Sequence, residues 1–467
     1  MIQVNRASLL TCSYLRISCV PTGYKLSVSG YSEKIPFLLD TLTSRMLTLI
    51  QEMREGKEYH PALYDKFERA KDSLLRETKN YRLDVPYEVA NYNSRLIMEE
   101  NVWYLDDYVD LMEGENAEKD PLTMEQCAHV AEACLTGRLK INALCMGNID
   151  EKGAKEVKNV ISRHFVDPSR PLHDSELPRF RSTMLPTKDE AVRIFGPEIE
   201  GESIPTKYQE LSASPSEENN AVELTMQAGS EAMLGYEGVA IVDLIASMAY
   251  NSAYNQLRTK EQLGYIVSAF TRRVAGGSWG LTVVVQSSVA TPLKLEERIQ
   301  EWLKVFRKEL EEMDPQLIAM EAQGIVAQYR EGDTKLSQEV SAAWNEISAT
   351  EGFNERMTTP AFDRLERLSD ELVLKTGLST DSTTLNGNPR KDAAGLKMRI
   401  LEFFDEVFAV DAPHRRAISA RLFSQNSKEE YEATKNAPGV LSSYNDIRYL
   451  KDFLSTWPAA PYWIKVE

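Results

Sequence analysis

Arg258 and Tyr265 are the side chains whose types and spacing best suit chemistry on a peptide bond. They stand in Asn251-Ser-Ala-Tyr-Asn-Gln-Leu-Arg258-Thr-Lys-Glu-Gln-Leu-Gly264-Tyr265-Ile-Val-Ser-Ala-Phe270. Arginine offers a fixed cation with a fork of donors, and tyrosine a neutral phenolic donor. Held close together, such a pair can bind a peptide carbonyl and stabilise an oxyanion developing on it. Neither residue requires that explanation alone. A cation suits the negative end of a helix dipole, and an aromatic residue commonly opens a strand.

Metal chemistry finds less support. Zinc hydrolysis needs ligands a helical turn apart and a carboxylate for the proton of the water. The histidines are His60, His129, His164, His173 and His414, and none stands four residues from another. Neither H-E-x-x-H nor H-x-x-E-H can therefore be written. In the nearest miss, His129-Val-Ala-Glu132-Ala133, alanine takes the second ligand position, and His129 reads as a helix-surface or packing residue. His173-Asp-Ser-Glu176 lies in a proline-rich stretch and needs no metal to explain it. No G-x-S-x-G elbow is present, and Cys127 and His129 fall on different faces of one helix. Gly276-Gly277-Ser278-Trp279-Gly280 reads as a hairpin turn, not as a phosphate loop, and Arg390, Lys391 and Lys397 read as a solvated basic cluster.

The elements that must position Arg258 and Tyr265 are a helix and a hairpin. Ile241, Leu244, Ile245 and Met248 fall at the i, i+3, i+4, i+7 spacing of one helical face. That helix carries Arg258 in its last turns. Gly264 is expected to stop it through a left-handed C-terminal cap. Strand-like alternation follows from Tyr265, turns at Val274-Ala-Gly276-Gly277-Ser278, and returns as Trp279-Gly-Leu-Thr-Val-Val-Val-Gln286.

Leu257-Arg258-Thr259-Lys260-Glu261-Gln262-Leu263-Gly264-Tyr265 resembles the signature in the C-terminal half of the insulin-degrading-enzyme (pitrilysin-type) zinc metallopeptidases. The resemblance continues through Trp279-Gly280-Leu281, Val285-Gln286-Ser287, Lys335-Leu336-Ser337 and Trp344-Asn345-Glu346-Ile347. Earlier it covers Leu26-Ser27-Val28-Ser29-Gly30-Tyr31, Leu96-Ile97-Met98 and Gly147-Asn148-Ile149, in the family's order. It implies four related α+β domains in two halves, of which this chain holds the third and fourth. Each would be an antiparallel-rich sheet with helices packed on one face, the pitrilysin/LuxS-like metallopeptidase fold. It also implies that zinc sits on an N-terminal half, in the same or a separate chain, and that this chain binds no cofactor. Unfolded peptides would be the substrate, with Arg258 binding a substrate carbonyl and Tyr265 stabilising the oxyanion. Such a chain is not expected to cut peptides alone. The competing reading is a peptidase-like peptide-binding or scaffold subunit that performs no hydrolysis.

The bulk numbers agree with a globular protein. The 467 residues are 42% hydrophobic and 27% charged, enough for two or three ordinary domains. A net charge of −17 argues against a general nucleic-acid surface. No uncharged apolar run reaches the roughly 18 residues of a membrane span. Five cysteines, including Cys12, Cys19, Cys127 and Cys134, make no disulfide framework, so a reducing, cytoplasmic location is the default. The first 32 residues lack Asp and Glu, as transit peptides do, yet Tyr14, Leu15, Ile17 and Cys19 read as strand.

Two units are expected, 1–166 and 221–467, separated by a boundary at 167–220 rich in proline. The first reads as a hairpin over 10–30, helices near 36–49, 60–79, 86–100 and 122–136, a strand over 138–146 and a helix ending near Phe165. Within the boundary, Ala191-Val-Arg-Ile-Phe195 suggests a short strand. The second unit adds a strand at 221–227, helices at 294–313, 315–329, 336–348, 361–376 and 396–408, a polar loop at 377–395 and a strand at 415–423. Leu26-x-Val28 echoes Leu281-x-Val283, Pro36 echoes Pro292, and Glu88-Val89 echoes Glu339-Val340. By this echo unit one lacks the strand and helix that precede the second hairpin, so the chain is expected to start inside a domain and to leave apolar surface exposed.

Overall fold

A computed structural model describes residues 14–458 except 21–22, 32–33, 115–120, 166–175, 177–180, 275–276 and 348–388. The chain begins β1 (Tyr14–Val20), β2 (Gly23–Ser29), α1 (Ile35–Glu55), α2 (Pro61–Asn80), α3 (Pro86–Met98), α4 (Leu105–Glu113), α5 (Met124–Thr136) and α6 (Glu151–Phe165). It continues α7 (Lys188–Phe195), β3 (Thr206–Leu211), β4 (Asn220–Ser230), α8 (Glu231–Ala253), β5 (Ile266–Val274), β6 (Ser278–Ser287), α9 (Pro292–Glu312), α10 (Pro315–Arg330) and α11 (Leu336–Ile347). Last come α12 (Pro389–Phe403), β7 (Arg416–Phe423), α13 (Lys428–Thr434), β8 (Val440–Leu441) and α14 (Tyr444–Lys451).

The described residues of Met1–Lys79, Leu105–Pro178 and Asp333–Glu351 form one compact unit. Its sheet is the antiparallel hairpin β1–β2. Leu26 and Val28 of the return strand pack with Leu39 of α1 and with Val157 and Val160 of α6. Thr123 and Gln126 close a capping box at the start of α5. Residues 138–146, expected as a strand, join no sheet among the described residues.

The second unit takes in Asn80–Tyr104, Arg179–Gly332 and Gly352–Glu467, again as far as described. Its six strands run in the order β5-β6-β4-β7-β3-β8, with β3 parallel to β7 and β8 and the other pairs antiparallel. The class is α+β. One face of β4, carrying Val222, Leu224 and Met226, joins the main core with Ile241 and Leu244 of α8, Leu295 and Trp302 of α9, and Leu396 and Ile400 of α12. Trp302 stacks on Phe306 at 5.4 Å, and Phe306 meets Phe404 edge-on at 5.6 Å; each such contact adds about 0.5–1.5 kcal/mol beyond area burial. The other face is covered in part by α3. Val89 and Ala90 of α3 pack on Ala221, Ala420 and Leu422. Central strands buried on both sides require that second cover, and β4 and β7 are buried almost throughout.

That second face holds polar residues. Glu223 is fully buried, 3.5 Å from Arg272, and burial raises its pKa although Arg272 opposes the shift. Thr225 and Thr282 hydroxyls hydrogen-bond across β4 and β6 at 2.6 Å.

Two further expectations change. Ala191–Phe195 belongs to helix α7, because Thr187 and Glu190 form a capping box that starts a helix there. The proline-rich stretch also supplies β3, which lies in the main sheet beside β7. The polar loop expected over 377–395 is helical from Pro389, and the helix expected at 361–376 lies outside the described residues. Glu231–Lys260 is long and apolar enough to cross a membrane by composition, but its apolar side chains, among them Val239, Ile241 and Ile245, form the unit's core.

Candidate functional site

Both halves of the Arg258–Tyr265 site are anchored in the second unit's core. Ile241, Leu244, Ile245 and Met248 are each at most 4% exposed, which fixes the rotation of α8 about its axis. Past Ala253 the helix widens into a π-helical segment, Tyr254–Lys260, a feature often found at functional sites. The wider turn is continued by Glu261 N–H, which donates to Gln256 O at 3.0 Å. Leu257, fully buried, and Leu263, 9% exposed, pin this segment to the core on either side of Arg258 and Gln262.

The turn into β5 differs in mechanism from the expected glycine cap. Gln262, not Gly264, takes the left-handed conformation, with φ of 53°, and it is the one non-glycine described residue to do so. Gly264 is needed for closeness. A Cβ there would lie 1.9 Å from Gln286 O and 3.3 Å from Ser287 Cα, inside the backbone at the end of β6. Only a residue without a side chain lets the two backbones approach this far.

An ion pair stiffens the same corner. Arg298 of α9 donates through Nε and Nη2 to Glu261 at 2.7 and 2.9 Å, and Gln256 Nε2 adds a third bond to Glu261 at 2.7 Å. The hydrogen bond from Arg298 holds the Glu261 carboxyl below its usual range against the opposing effect of burial. Two segments that could move independently are thus tied to one helix.

From this corner the two expected site residues meet. The Arg258 guanidinium carbon lies 4.7 Å from the centroid of the Tyr265 ring. Tyr265 is 83% exposed, so its hydroxyl is open to a ligand. A third residue, not found from the sequence, belongs to the group. Tyr254, one helical turn before Arg258, has its ring centroid 4.5 Å from the same guanidinium and accepts a hydrogen bond from Arg258 Nη1 on its hydroxyl. The i, i+4 spacing of Tyr254 and Arg258 was the available signal. Tyr250, 46% exposed, continues the row at 6.3 Å from Tyr254. The arrangement presents a cation between two aromatic rings, with a phenol and the remaining guanidinium donors free to meet a carbonyl oxygen.

The histidines occupy separate places. His60 contacts Glu55 at 2.7 Å, His164 contacts Asp40 at 2.8 Å, and His414 lies 3.7 Å from Glu406. His129 is exposed on α5, and its neighbour Glu132 pairs with Arg54 at 2.8 Å; His173 lies outside the described residues. Among the described residues no three His, Cys, Asp or Glu side chains converge as metal ligands, so a zinc ion does not fit them. Cys127, Cys134 and Cys145 carry free thiols, those of Cys127 and Cys145 pushed up in pKa by burial. Lys397, expected as part of a solvated basic cluster, lies on α12, and its ammonium caps α9 by donating to Glu311 O at 2.6 Å and Met313 O at 2.7 Å.

Comparison with known proteins adds relatives to this geometry. Residues 6–111 match the family described as the middle or third domain of peptidase M16, and residues 244–344 match the C-terminal lobe domain 4 of PQQ synthase PqqF-like proteins. Human insulin-degrading enzyme is 28% identical over 406 residues, covering 86% of this chain and 33% of that protein. The peroxisomal insulin-degrading enzyme-like 1 of Arabidopsis thaliana is 26% identical over 440 residues, covering 93% and 38%. The crystal structure of pitrilysin superposes with a TM-score of 0.68 over 97% of this chain and 40% of that one, at 19% identity, a likeness of fold. The chain thus spans about a third of the length of the curated relatives it matches.

Proposed function

Starting from a chain that corresponds to the C-terminal half of the insulin-degrading-enzyme and pitrilysin type, we propose that it forms the substrate-binding wall of a chamber that degrades unfolded peptides. In this reading Arg258 binds a backbone carbonyl of an extended peptide. Tyr265 donates its hydroxyl to the oxygen of the bond being cut, where negative charge develops in the transition state. The zinc chemistry belongs to an N-terminal half, in the same chain or a separate one, and this chain alone does not cleave peptides. We assign 1–166 to the third and 221–467 to the fourth peptidase-like domain, around the boundary at 167–220, and place the protein in the cytoplasm. The free thiols of Cys127, Cys134 and Cys145 favour that compartment.

The observation that carries the proposal is the pairing itself. A residue from a helix end and a residue from a strand start are brought to 4.7 Å, with the phenol 83% exposed. An aromatic ring so exposed on a rigid corner contributes little to its own fold.

The test uses a complex reconstituted from this chain and a zinc-bearing half, assayed on a quenched-fluorescent peptide. Tyr265→Phe removes one donor and should lower turnover by about 10²–10³-fold, as loss of a single oxyanion donor does. Unchanged turnover overturns the role given to Tyr265. A complex that binds the peptide but never cuts it favours the scaffold reading instead.

A further inference from the structure

We propose that Tyr254 is a positioning residue that sets the Arg258 guanidinium for carbonyl binding; this rests on the role proposed above for Arg258. An arginine reaching from a helix end has many rotamers, and a ligand that fixes them must overcome the entropy lost. Arg258 is held before any ligand arrives. Its Nη1 donates to the Tyr254 hydroxyl, and its guanidinium carbon sits between two rings, 4.5 Å from the Tyr254 centroid and 4.7 Å from that of Tyr265. The hydrogen bond fixes the plane of the fork in a way that ring contact alone does not. A guanidinium has five N–H donors, so one spent on Tyr254 leaves the others for the peptide.

Tyr254 is well placed for this task. It opens the π-helical segment, directly after buried Ala253, and is itself half-buried. Thr259 Oγ1 donates back to its carbonyl at 3.4 Å. The far side of the segment is tied to α9 by the Glu261–Arg298 pair at 2.7 Å. Tyr254 therefore moves with the helix, and Arg258 moves with Tyr254. The ring and the hydroxyl do different work, and the substitution Tyr254→Phe separates them because it keeps the ring and removes the acceptor.

The experiment is a double-mutant cycle in the reconstituted complex, with wild type, Tyr254→Phe, Arg258→Ala and the double variant, on one quenched-fluorescent decapeptide. Tyr254→Phe should raise KM about tenfold, the scale of one hydrogen bond to a charged group, with kcat unchanged. In the Arg258→Ala background the same substitution should add nothing, because its only route to substrate has gone. Tyr254→Ala should exceed Tyr254→Phe, and the melting temperature of this chain should be the same for wild type and Tyr254→Phe. A KM increase that persists undiminished in the Arg258→Ala background, or loss of kcat together with melting temperature, overturns the positioning role. So does an unchanged KM for Tyr254→Phe when Arg258→Ala raises KM. If Arg258→Ala itself changes nothing, the carbonyl-binding reading fails and this inference falls with it.

Discussion

Gly264→Ala is the perturbation that tests the corner most directly. The added methyl would sit 1.9 Å from Gln286 O, 2.9 Å from Gln286 C and 3.3 Å from Ser287 Cα. A carbon and a carbonyl oxygen settle no closer than about 3.3 Å, so the two backbones must part by about 1.4 Å. No side chain can rotate aside, since every atom met is backbone. The strand cannot give way easily, because Gln286 is paired with Ile266 on one side and Ala221 on the other, and its Oε1 accepts from Tyr87 N–H at 3.2 Å. The movement therefore falls on residues 262–265, where Gln262 already holds a left-handed conformation. Overpacking of this kind costs about 1–3 kcal/mol, and a displacement of about 1 Å at a reacting group costs about 10²-fold in rate. Thermal melts and peptide cleavage by the reconstituted complex should show both losses in Gly264→Ala. Gly324→Ala is the matched control: the same methyl, on helix α10, meets nothing within 4 Å, and it should stabilise by up to about 1 kcal/mol. If Gly264→Ala melts and turns over like wild type, the close approach does not exist and glycine is not what places Tyr265.

Two other predictions concern buried charge. Arg421 of β7 grips Glu296 of α9 through two bonds of 2.8 and 2.7 Å, with side chains only 4% and 13% exposed. Burial alone would raise the Glu296 pKa, but Arg421 outweighs it and holds the carboxylate below its usual range. Arg421→Met should thus cost about 3–5 kcal/mol in urea unfolding, most of it recovered by adding Glu296→Met. In wild type the contribution of the pair is present above pH 4.5, the unfolded value, and is lost as pH falls through the lower folded value. An acid titration of Arg421→Met that matches wild type refutes it. Lys451 gives the same sign in an alkaline window: burial lowers its pKa from 10.5 to about 8, its Nζ donating to Glu99 O at 2.6 Å. The unfolded chain then binds the extra proton between those values, so stability rises from about pH 8 to pH 10.5, by at most about 3 kcal/mol. Lys451→Met should flatten that rise in a series of melts across the range, and an unaltered slope refutes the assignment.

Much of the second unit was legible because its signals are local. The apolar face of α8 could be counted from Ile241, Leu244, Ile245 and Met248, and all four are buried. The hairpin could be read from alternation around Val274–Ser278. What stayed hidden depends on residues outside the string being read. At Ala191–Phe195 a five-residue apolar pattern suits either period, and the deciding residues, Thr187 and Glu190, stand outside it. Gly264 reads in the sequence as a left-handed cap, whereas the structure needs it for close approach of two backbones. Its neighbour across space, Gln286, is the end of a strand that the local string never mentions.

The candidate site combines exposed function with buried support, and that division makes its tests clean. Leu257, Leu263 and Val267 are 0%, 9% and 6% exposed, and they alternate along the chain with half-buried Arg258 and with Tyr265 at 83%. The core thus fixes the backbone on both sides of each functional side chain without touching its polar end. Truncating a side chain already in water leaves no cavity and no unpaired buried group, so it falls outside the mechanisms that produce large stability losses. Substitutions at Tyr265 should accordingly leave the melt within about 0.5 kcal/mol of wild type. A loss of turnover there would then report on substrate and not on folding. Gly264 and the Glu261–Arg298 pair stand on the other side of this division, since they act on the backbone that carries the site. Variants there should lose rate and stability together. A site built in the opposite way, with Tyr265 serving the core, would reverse the two patterns.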